Sequence, residues 1–294
     1  MSSQIKAFNN MQPHKTKIII PWLFLAPAMI LLSIFLFLPI LYLIYLSFTN
    51  GSLTSMEWVG IANYQKILVD PDFLQVIGNT IYFAIATIVP SIIIPLLLAT
   101  LLNQKLILRG FFRTSYFIPS ITSLVAMGLG FRWLFQNNGP VNQLIGEIGL
   151  NQIPWLNSPI WAMPVIILFS IWRQIGFNLV VFLAGLQTIP KSRYEAAELD
   201  GADKWAKFWY ITIPGLQPTL IFCTITTAIF TFRSFEQIYV MTNGGPANST
   251  NLLAYYIYQE AFRQFNFGYA AAATSFLLLI AFFLVCIQIL ITKD

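Results

Sequence analysis

The chain has 294 residues, of which 57% are hydrophobic and 9% are charged, and its mean hydropathy is +0.71. An ordinary soluble domain carries roughly 25% charged residues, so this composition excludes a soluble globular protein and indicates a chain that largely faces lipid. The formal charge of +5 comes from scattered lysines and arginines, which argues against nucleic-acid binding, since that function needs basic residues clustered on one face.

Six apolar stretches are long enough to cross a bilayer, which takes about 20 helical residues. In chain order they cover approximately residues 20–48, 79–102, 114–135, 161–186, 216–236 and 269–292. Several contain proline, which membrane helices tolerate as kinks, so bent helices are expected. The first stretch is about twice as long as the apolar core of a cleavable signal and is interpreted as a retained helix. The sequence therefore predicts an all-α integral membrane protein, with a cytoplasmic polar leader at residues 1–17 and one domain of six transmembrane helices at residues 18–294.

Positive charges are distributed unequally between the two sides of these spans. If the amino terminus lies inside, the outer loops hold only Lys66 and Arg263. The inner segments then hold Lys6, Lys15, Lys17, Lys105, Arg109, Arg113, Lys191, Arg193, Lys204, Lys207 and Lys293. Because cytoplasmic loops carry an excess of lysine and arginine, both termini are predicted to be cytoplasmic.

Residues 188–214, between the fourth and fifth spans, form the one strongly charged inner segment and are called the charged hairpin below. The segment holds eight of the 27 charged residues of the chain. Ser192 and Glu195 have the spacing of a capping box at the start of a helix. Gly201 fits the left-handed position after that helix, and Asp203 fits the N-cap of a second one. The local pattern predicts two short helices.

The charged hairpin also carries a longer motif. Glu195-Ala196-Ala197, then Gly201, Ile211 and Pro214, resembles the cytoplasmic EAA signature of permeases in bacterial binding-protein-dependent ABC importers, although Ile213 replaces the usual leucine. The resemblance implies the type I ABC importer permease fold and a hairpin that docks on an ATP-hydrolysing subunit. The residues to which it assigns this ATPase coupling are Glu195, Ala196, Ala197, Asp200, Gly201, Ala202 and Trp205. Trp205 equally fits the membrane interface, where tryptophan is enriched.

Two further stretches are similar to the sugar-transporting branch of this family, the maltose-type and glycerol-phosphate-type permeases. One contains Gly149-Leu150, Trp155-Leu156 and Pro159, and the other contains Gly244-Gly245-Pro246, Ser249-Thr250 and a following aromatic run. The resemblance implies that this chain imports a sugar or sugar-like solute, and a disaccharide, a glucoside and a glycerol phosphate all remain open.

Polar side chains inside membrane spans are costly and are candidates for a binding site. In maltose-type permeases the two spans that flank the hairpin supply the substrate pocket. The resemblance therefore predicts a substrate site from Arg173, Gln174, Phe177, Asn178, Thr227, Phe230, Thr231 and Ser234. Amides and hydroxyls exchange hydrogen bonds with sugar hydroxyls, and phenylalanine packs on an apolar sugar face. Alternatively, the threonines and the serine bond their own backbone or a neighbouring helix.

The resemblance also implies the partners and the location. The partners are an ABC ATPase dimer, a second homologous permease, an extracytoplasmic solute-binding protein and membrane lipid, with no nucleic acid; the location is the bacterial cytoplasmic (inner) membrane, which the chain crosses several times. No catalytic residue, metal or cofactor is predicted for this chain, and ATP and Mg²⁺ are expected on the partner ATPase.

The alternatives are an ion-coupled secondary transporter, disfavoured by the lack of carboxylates in the central spans, and an intramembrane enzyme, disfavoured because His14 is the only histidine.

Overall fold

The computed structural model describes residues 14–51, 56–103 and 109–291. This part of the chain is helical, apart from loops and one isolated antiparallel bridge between Thr49 and Trp58. Of the predicted polar leader, residues 1–13 lie outside the described residues, and the first helix already begins at His14. The described part of this helix therefore includes the last residues of the predicted leader, 14–17.

The α-helices of the described residues are numbered here in chain order. They are α1 (His14–Leu32), α2 (Leu38–Ser47), α3 (Ala62–Val69), α4 (Pro71–Leu102), α5 (Arg109–Ile121), α6 (Leu124–Leu134), α7 (Pro140–Glu147), α8 (Ala162–Thr188), α9 (Lys191–Leu199), α10 (Lys204–Lys207), α11 (Ile213–Gly215), α12 (Gln217–Phe232), α13 (Glu236–Met241), α14 (Leu253–Tyr258) and α15 (Phe267–Ile291). Short π-helical turns at Ser33–Phe37, Phe208–Thr212 and Gln259–Arg263 join some of them.

Four of the six predicted spans are helices long and apolar enough to cross a membrane. They are Pro21–Ser47, Pro71–Leu102, Ala162–Thr188 and Phe267–Ile287. The other two are bent pairs, with 98° between the helices Gly110–Ile121 and Leu124–Leu134 and 69° between Lys204–Gly215 and Gln217–Phe232. The described chain thus has six spans if each bent pair is one span.

The two bends have local causes. In the first pair, Ser123 accepts a hydrogen bond from the backbone N–H of Ala126 and so starts a new helix. In the second pair, Pro218 lies in the first turn of α12, where its missing N–H costs nothing and favours a helix start. The expectation of bent helices is confirmed at these two spans.

Helix α8 lies at the centre of the fold and packs against α4, α5 and α12. Its Gly176 meets α5 so closely that an added Cβ would collide with the backbone carbonyl of Tyr116. Nearer the charged hairpin, Phe182 and Leu183 of α8 are fully buried and pack with Leu216 at the start of α12. Close packing at small residues is how helices associate in a bilayer, where lipid tails are as apolar as the side chains.

Asp70 joins the start of α4 to α15. Its Oδ1 accepts hydrogen bonds from the backbone N–H groups of Asp72 (2.9 Å) and Phe73 (3.5 Å), and its Oδ2 accepts one from the Tyr269 hydroxyl (2.5 Å). Partial burial by itself would raise the pKa of Asp70, but these hydrogen bonds and the charge of Lys66 together lower it. The ionised carboxylate is therefore a stronger N-cap than the protonated one.

Replacing Asp70 with alanine should destabilise the protein by about 1 kcal/mol near neutral pH, because an N-cap is lost. Since the folded protein lowers the pKa of this carboxyl, its stabilisation is present above the ordinary pKa and is lost as the pH falls through the folded value. When thermal unfolding is measured in detergent from about pH 7 to about pH 3, the melting temperature of the wild type should approach that of the Asp70→Ala variant. An Asp70→Asn control keeps a capping side chain but cannot titrate. A difference in melting temperature between the wild type and Asp70→Ala that is equal at all pH values would contradict this role.

Candidate functional site

The first candidate site is the charged hairpin, which contains α9 and α10. Helix α9 begins at Lys191 with Pro190 at the N-cap, and no side chain caps it. The predicted capping box of Ser192 and Glu195 is wrong, because the helix starts two residues too early for Ser192 to be the N-cap. Glu195 is exposed on the surface of α9 and is free for another role.

The turn between the two short helices is as predicted. Gly201 has φ +80°, and the N–H of Ala202 donates to the carbonyl of Ala197 (2.8 Å), which closes α9 with a left-handed residue. Asp203 caps α10, since its Oδ1 accepts a hydrogen bond from the N–H of Ala206 (2.7 Å). Both local predictions are confirmed.

The two short helices are fixed to each other and to the spans. The Lys207 Nζ lies 2.6 Å from the Glu198 Oε1, and this hydrogen bond and charge lower the pKa of Glu198. The Tyr194 hydroxyl lies 3.0 Å from the Thr212 Oγ1. Tyr194 and Phe208 also pack against the buried cluster of α8 and α12. Motion imposed on the charged hairpin would therefore reach α8 and α12.

The predicted coupling residues lie on the accessible side of the charged hairpin. Glu195, Ala196, Asp200 and Gly201 are exposed, whereas Ala197 and Ala202 are half-buried.

Two large apolar side chains accompany them. Trp205 is 68% exposed and also lines a groove of about 720 Å³ beside the end of α4, so a protein partner and the membrane interface both remain open for its ring. Leu199 is 90% exposed, and sequence reasoning missed it. The signal was a large apolar residue between Glu198 and Asp200.

The second candidate site is a pair of small cavities between α8 and α12. The central cavity has a volume of about 30 Å³, and the side cavity beside it has about 140 Å³. The central cavity is lined by Thr87, Leu124, Phe169, Ser170, Arg173, Gln174, Phe230, Thr231, Ser234 and Gln237. The side cavity shares Arg173, Gln174 and Phe230 with it and adds Phe117, Ser120, Ile121 and Phe177.

The structure brings six of the eight predicted substrate residues to these cavities. They are Arg173, Gln174, Phe177, Phe230, Thr231 and Ser234. The other two, Asn178 and Thr227, line neither cavity.

Instead, Asn178 and Thr227 join three helices behind the cavity wall. The Asn178 amide donates to the Ser91 carbonyl of α4 (2.6 Å) and to the Thr227 Oγ1 of α12 (3.0 Å). The Gln174 amide of α8 also donates to the Thr227 Oγ1 (3.4 Å). This geometry supports an interhelical packing role for these two side chains.

The hydroxyl groups of Thr231 in α12 and of Ser234 just after it bond backbone carbonyls of α12, as the alternative interpretation expected. The Thr231 Oγ1 donates to the Thr227 carbonyl (2.7 Å), and the Ser234 Oγ donates to the Phe230 carbonyl (3.3 Å). Each oxygen nevertheless keeps acceptor capacity, because a hydroxyl has two lone pairs. Thr231 and Ser234 thus remain able to accept hydrogen bonds from a ligand.

Several buried polar atoms around the two cavities have no hydrogen-bond partner among the described residues. They are the Thr87 Oγ1, Ser91 Oγ, Arg173 Nε, Asn178 Oδ1 and Gln237 Oε1. Folded proteins leave few such groups, and each costs roughly 1–3 kcal/mol. Sequence reasoning missed Thr87, Ser91 and Gln237, although a polar residue in or beside an apolar span was the available signal.

The Gly-Gly-Pro segment beyond α13 forms an ordered loop against α4. Gly244 has φ +81°, and an added Cβ would lie 2.9 Å from the Tyr255 ring. The Thr250 hydroxyl donates to the Gly245 carbonyl (2.7 Å), and the Asn79 amide of α4 donates to the Asn248 carbonyl (2.7 Å). The loop is therefore held in one shape relative to α4.

No group of three or more histidine, cysteine, aspartate or glutamate side chains with the spacing of a metal site occurs in residues 14–51, 56–103 and 109–291. The polar groups at the cavities are amides, hydroxyls and one guanidinium. Such groups suit a polar, hydroxylated ligand.

Comparison with known proteins shows close relatives over nearly the whole chain. The family model described as the inner membrane component of binding-protein-dependent transport systems matches residues 91–293. The chain is 39% identical over 279 residues to the lactose transport system permease protein of Rhizobium radiobacter, which covers 93% of this chain and 94% of that protein. It is also 39% identical over 278 residues to the sulfoquinovosyl glycerol transport system permease protein of Agrobacterium fabrum, and this match covers 92% of this chain and 90% of that protein.

A solved structure has a similar fold. A chain in the crystal structure of a bacterial alginate ABC transporter, in complex with its alginate pentasaccharide-bound periplasmic protein, superposes with a TM-score of 0.81 at 25% identity. The superposition covers 93% of each chain.

Proposed function

Since this chain belongs to the family of binding-protein-dependent transport system inner membrane components, we propose that it moves a carbohydrate through the cavities between α8 and α12 when a partner ATPase drives the charged hairpin. It is a sugar ABC importer permease and has the all-helical type I importer fold, and its relatives are transporter subunits rather than enzymes. The observation that carries the proposal is the match to a lactose permease over 93% of the chain.

Coupling to ATP hydrolysis is proposed for the charged hairpin. Glu195, Asp200 and Gly201 are exposed on one side, while Tyr194 and Phe208 fix the other side to α8 and α12. The Glu198–Lys207 ion pair and the cap at Asp203 stiffen the hairpin. A cleft on an ABC ATPase dimer would grip Glu195, Gly201 and Leu199 and transmit its closure to the spans. ATP and Mg²⁺ would be bound by that dimer.

Transport through the central cavity requires that the cavity widen. Its 30 Å³ has room for about two water molecules, whereas pockets for small ligands measure roughly 300–1,000 Å³. The central cavity is thus too small for a sugar in this conformation, and we propose that alternating access widens it. The breaks near Ser123 and Ser234 offer places for α6 and α13 to move.

The remaining partners and the orientation are supported by exposed surfaces and by charge. No residue in the most apolar 18-residue stretch of the first span, Pro21–Ser47, is buried within the chain. We therefore assign that span to contact with lipid and with a second, homologous permease. The ordered loop at Gly244 to Thr250 is assigned to an extracytoplasmic solute-binding protein. The lysine and arginine asymmetry supports an orientation with both termini in the cytoplasm. The family description supports a location in the bacterial inner membrane.

Replacing Thr231 with valine should change which sugars are imported, because the hydroxyl that can accept a hydrogen bond from the solute is lost at nearly constant volume. We expect the uptake ratio between lactose and sulfoquinovosyl glycerol to shift by about tenfold in a reconstituted importer that contains all subunits. The control is Thr274→Val in α15, where the hydroxyl also bonds its own helix, to Ala270. A Thr231→Val ratio equal to that of the control would remove Thr231 from the site.

A further inference from the structure

We infer that Thr87 of α4 and Gln237 of α13 complete the sugar pocket and decide which solute hydroxyl groups are accepted. This inference rests on the proposed function. It extends the site beyond α8 and α12, the two spans to which the predicted substrate residues belong.

Gln237 reaches the central cavity from a short helix outside the predicted site. Helix α13 begins at Glu236, and three residues separate it from the end of α12 at Phe232. Ile238 and Met241 of α13 are buried in the apolar core, whereas Gln237 lines the central cavity. The side chain of Gln237 is only 5% exposed, and its Oε1 has no hydrogen-bond partner among the described residues. An acceptor is thus buried at the cavity without a donor.

Thr87 reaches the same cavity from α4. It is 2% exposed and lines the central cavity. A threonine within a membrane helix usually bonds the backbone of its own helix, as Thr80 does to the Val76 carbonyl and Thr100 does to the Leu97 carbonyl in α4 itself. The Thr87 Oγ1 has no such bond in the described structure. Its hydroxyl can therefore both donate to a ligand and accept from it.

Together with Arg173, these side chains offer complementary hydrogen-bonding capacities from three helices. The Gln237 Oε1 accepts only, the Arg173 Nε donates only, and the Thr87 hydroxyl does both. All three atoms are buried and unpartnered in the described structure. A sugar hydroxyl both donates and accepts, so a carbohydrate that enters the widened cavity can satisfy the whole set. A site with buried polar groups rejects analogues that leave one of them unpaired.

The aromatic rings support the same occupant. Phe169 and Phe230 lie among the lining residues of the central cavity. Rings beside convergent polar groups are typical of pockets that orient a small ligand. The lining of the central cavity thus combines aromatic rings with polar groups that have no partner in the described structure.

The test compares Gln237→Leu and Thr87→Val with the wild type in the complete importer, reconstituted with its ATPase and binding protein. The probe is whichever of lactose, sulfoquinovosyl glycerol or an alginate oligosaccharide the wild type carries, together with its monodeoxy derivatives. Because the binding protein is the same throughout, its own preference cancels from the ratio of variant to wild type. Gln152→Leu, on an exposed loop, and Thr100→Val, whose hydroxyl bonds its own helix, are the matched controls.

We expect each variant to lower kcat/KM for the parent sugar by about tenfold. For one monodeoxy derivative the variant and the wild type should differ by less than about twofold, because the hydroxyl that met the deleted group is already absent. A packing role predicts an equal loss for every derivative, and that result would overturn the inference, as would unchanged kcat/KM throughout. Gln237→Met, which keeps the length of the side chain, repeats the test should leucine prevent assembly.

The proposed function fails in a different way. A wild-type importer that carries none of the three probes would contradict the carbohydrate assignment itself. If Thr231→Val shifts the ratio of sugar uptake while Gln237→Leu and Thr87→Val leave kcat/KM unchanged for every derivative, only the inference about α4 and α13 is contradicted.

Discussion

A Gly201→Val variant should reach the membrane in normal amount and yet lose at least about tenfold of its ATP-driven uptake. Gly201 has φ +80°, a conformation that a β-branched residue resists at a cost of roughly 1–2 kcal/mol. No atom lies within 4 Å of the position that a Cβ would occupy, so the cost comes from the backbone and not from a clash. The turn between α9 and α10 would change shape and present Glu195 wrongly to the proposed partner ATPase.

Two controls separate this effect from a general loss of stability. Gly60→Val introduces the same residue at φ +59°, again with no atom within 4 Å of the Cβ position, far from the charged hairpin. Gly201→Asn keeps a residue that tolerates the left-handed region and should retain most uptake. The measurements are sugar uptake, ATP hydrolysis and the amount of assembled complex.

Glu195 extends the same test without a change in the backbone. Glu195→Ala on exposed α9 should uncouple ATP hydrolysis from uptake, because the structure assigns Glu195 no capping role. Uptake that persists at the wild-type level in both Gly201→Val and Glu195→Ala would refute the hairpin as the coupling element.

Gly176→Ala should sharply reduce the amount of folded transporter that detergent extracts. The new Cβ would collide with the Tyr116 carbonyl and lie 2.9 Å from the Phe117 Cα. These are backbone atoms of α5 and cannot rotate away, so α5 must move off α8. Overpacking of this kind costs roughly 1–3 kcal/mol or more. The measurement is the melting temperature of the purified protein, together with its yield as a single species.

The matched control is Gly78→Ala in α4, which lies in a helix with no atom within 4 Å of the added Cβ. There the same change should be neutral or stabilising by roughly 0.5–1 kcal/mol, because alanine favours the helix. Equal melting temperatures for Gly176→Ala and Gly78→Ala would show that α5 and α8 do not meet as described.

Local chemistry explains which sequence predictions succeeded. Apolar runs identified the spans, since about 20 apolar residues are needed wherever a helix crosses lipid. The left-handed turn at Gly201 and the cap at Asp203 depend on a few adjacent residues and were predicted correctly. The cap at Ser192 was wrong because helix ends are uncertain by a residue or two.

What the sequence alone determined was therefore the membrane class, most of the spans and the charged hairpin, and the resemblance added the two spans that border the proposed site. The tertiary structure decided which polar side chains meet. It paired Asn178 with Thr227 behind the cavity wall, and it brought Thr87 and Gln237 to one cavity although 150 positions separate them. The physical reason is range: hydropathy and capping act between near neighbours in the chain, whereas a pocket is made by helices that pack across it.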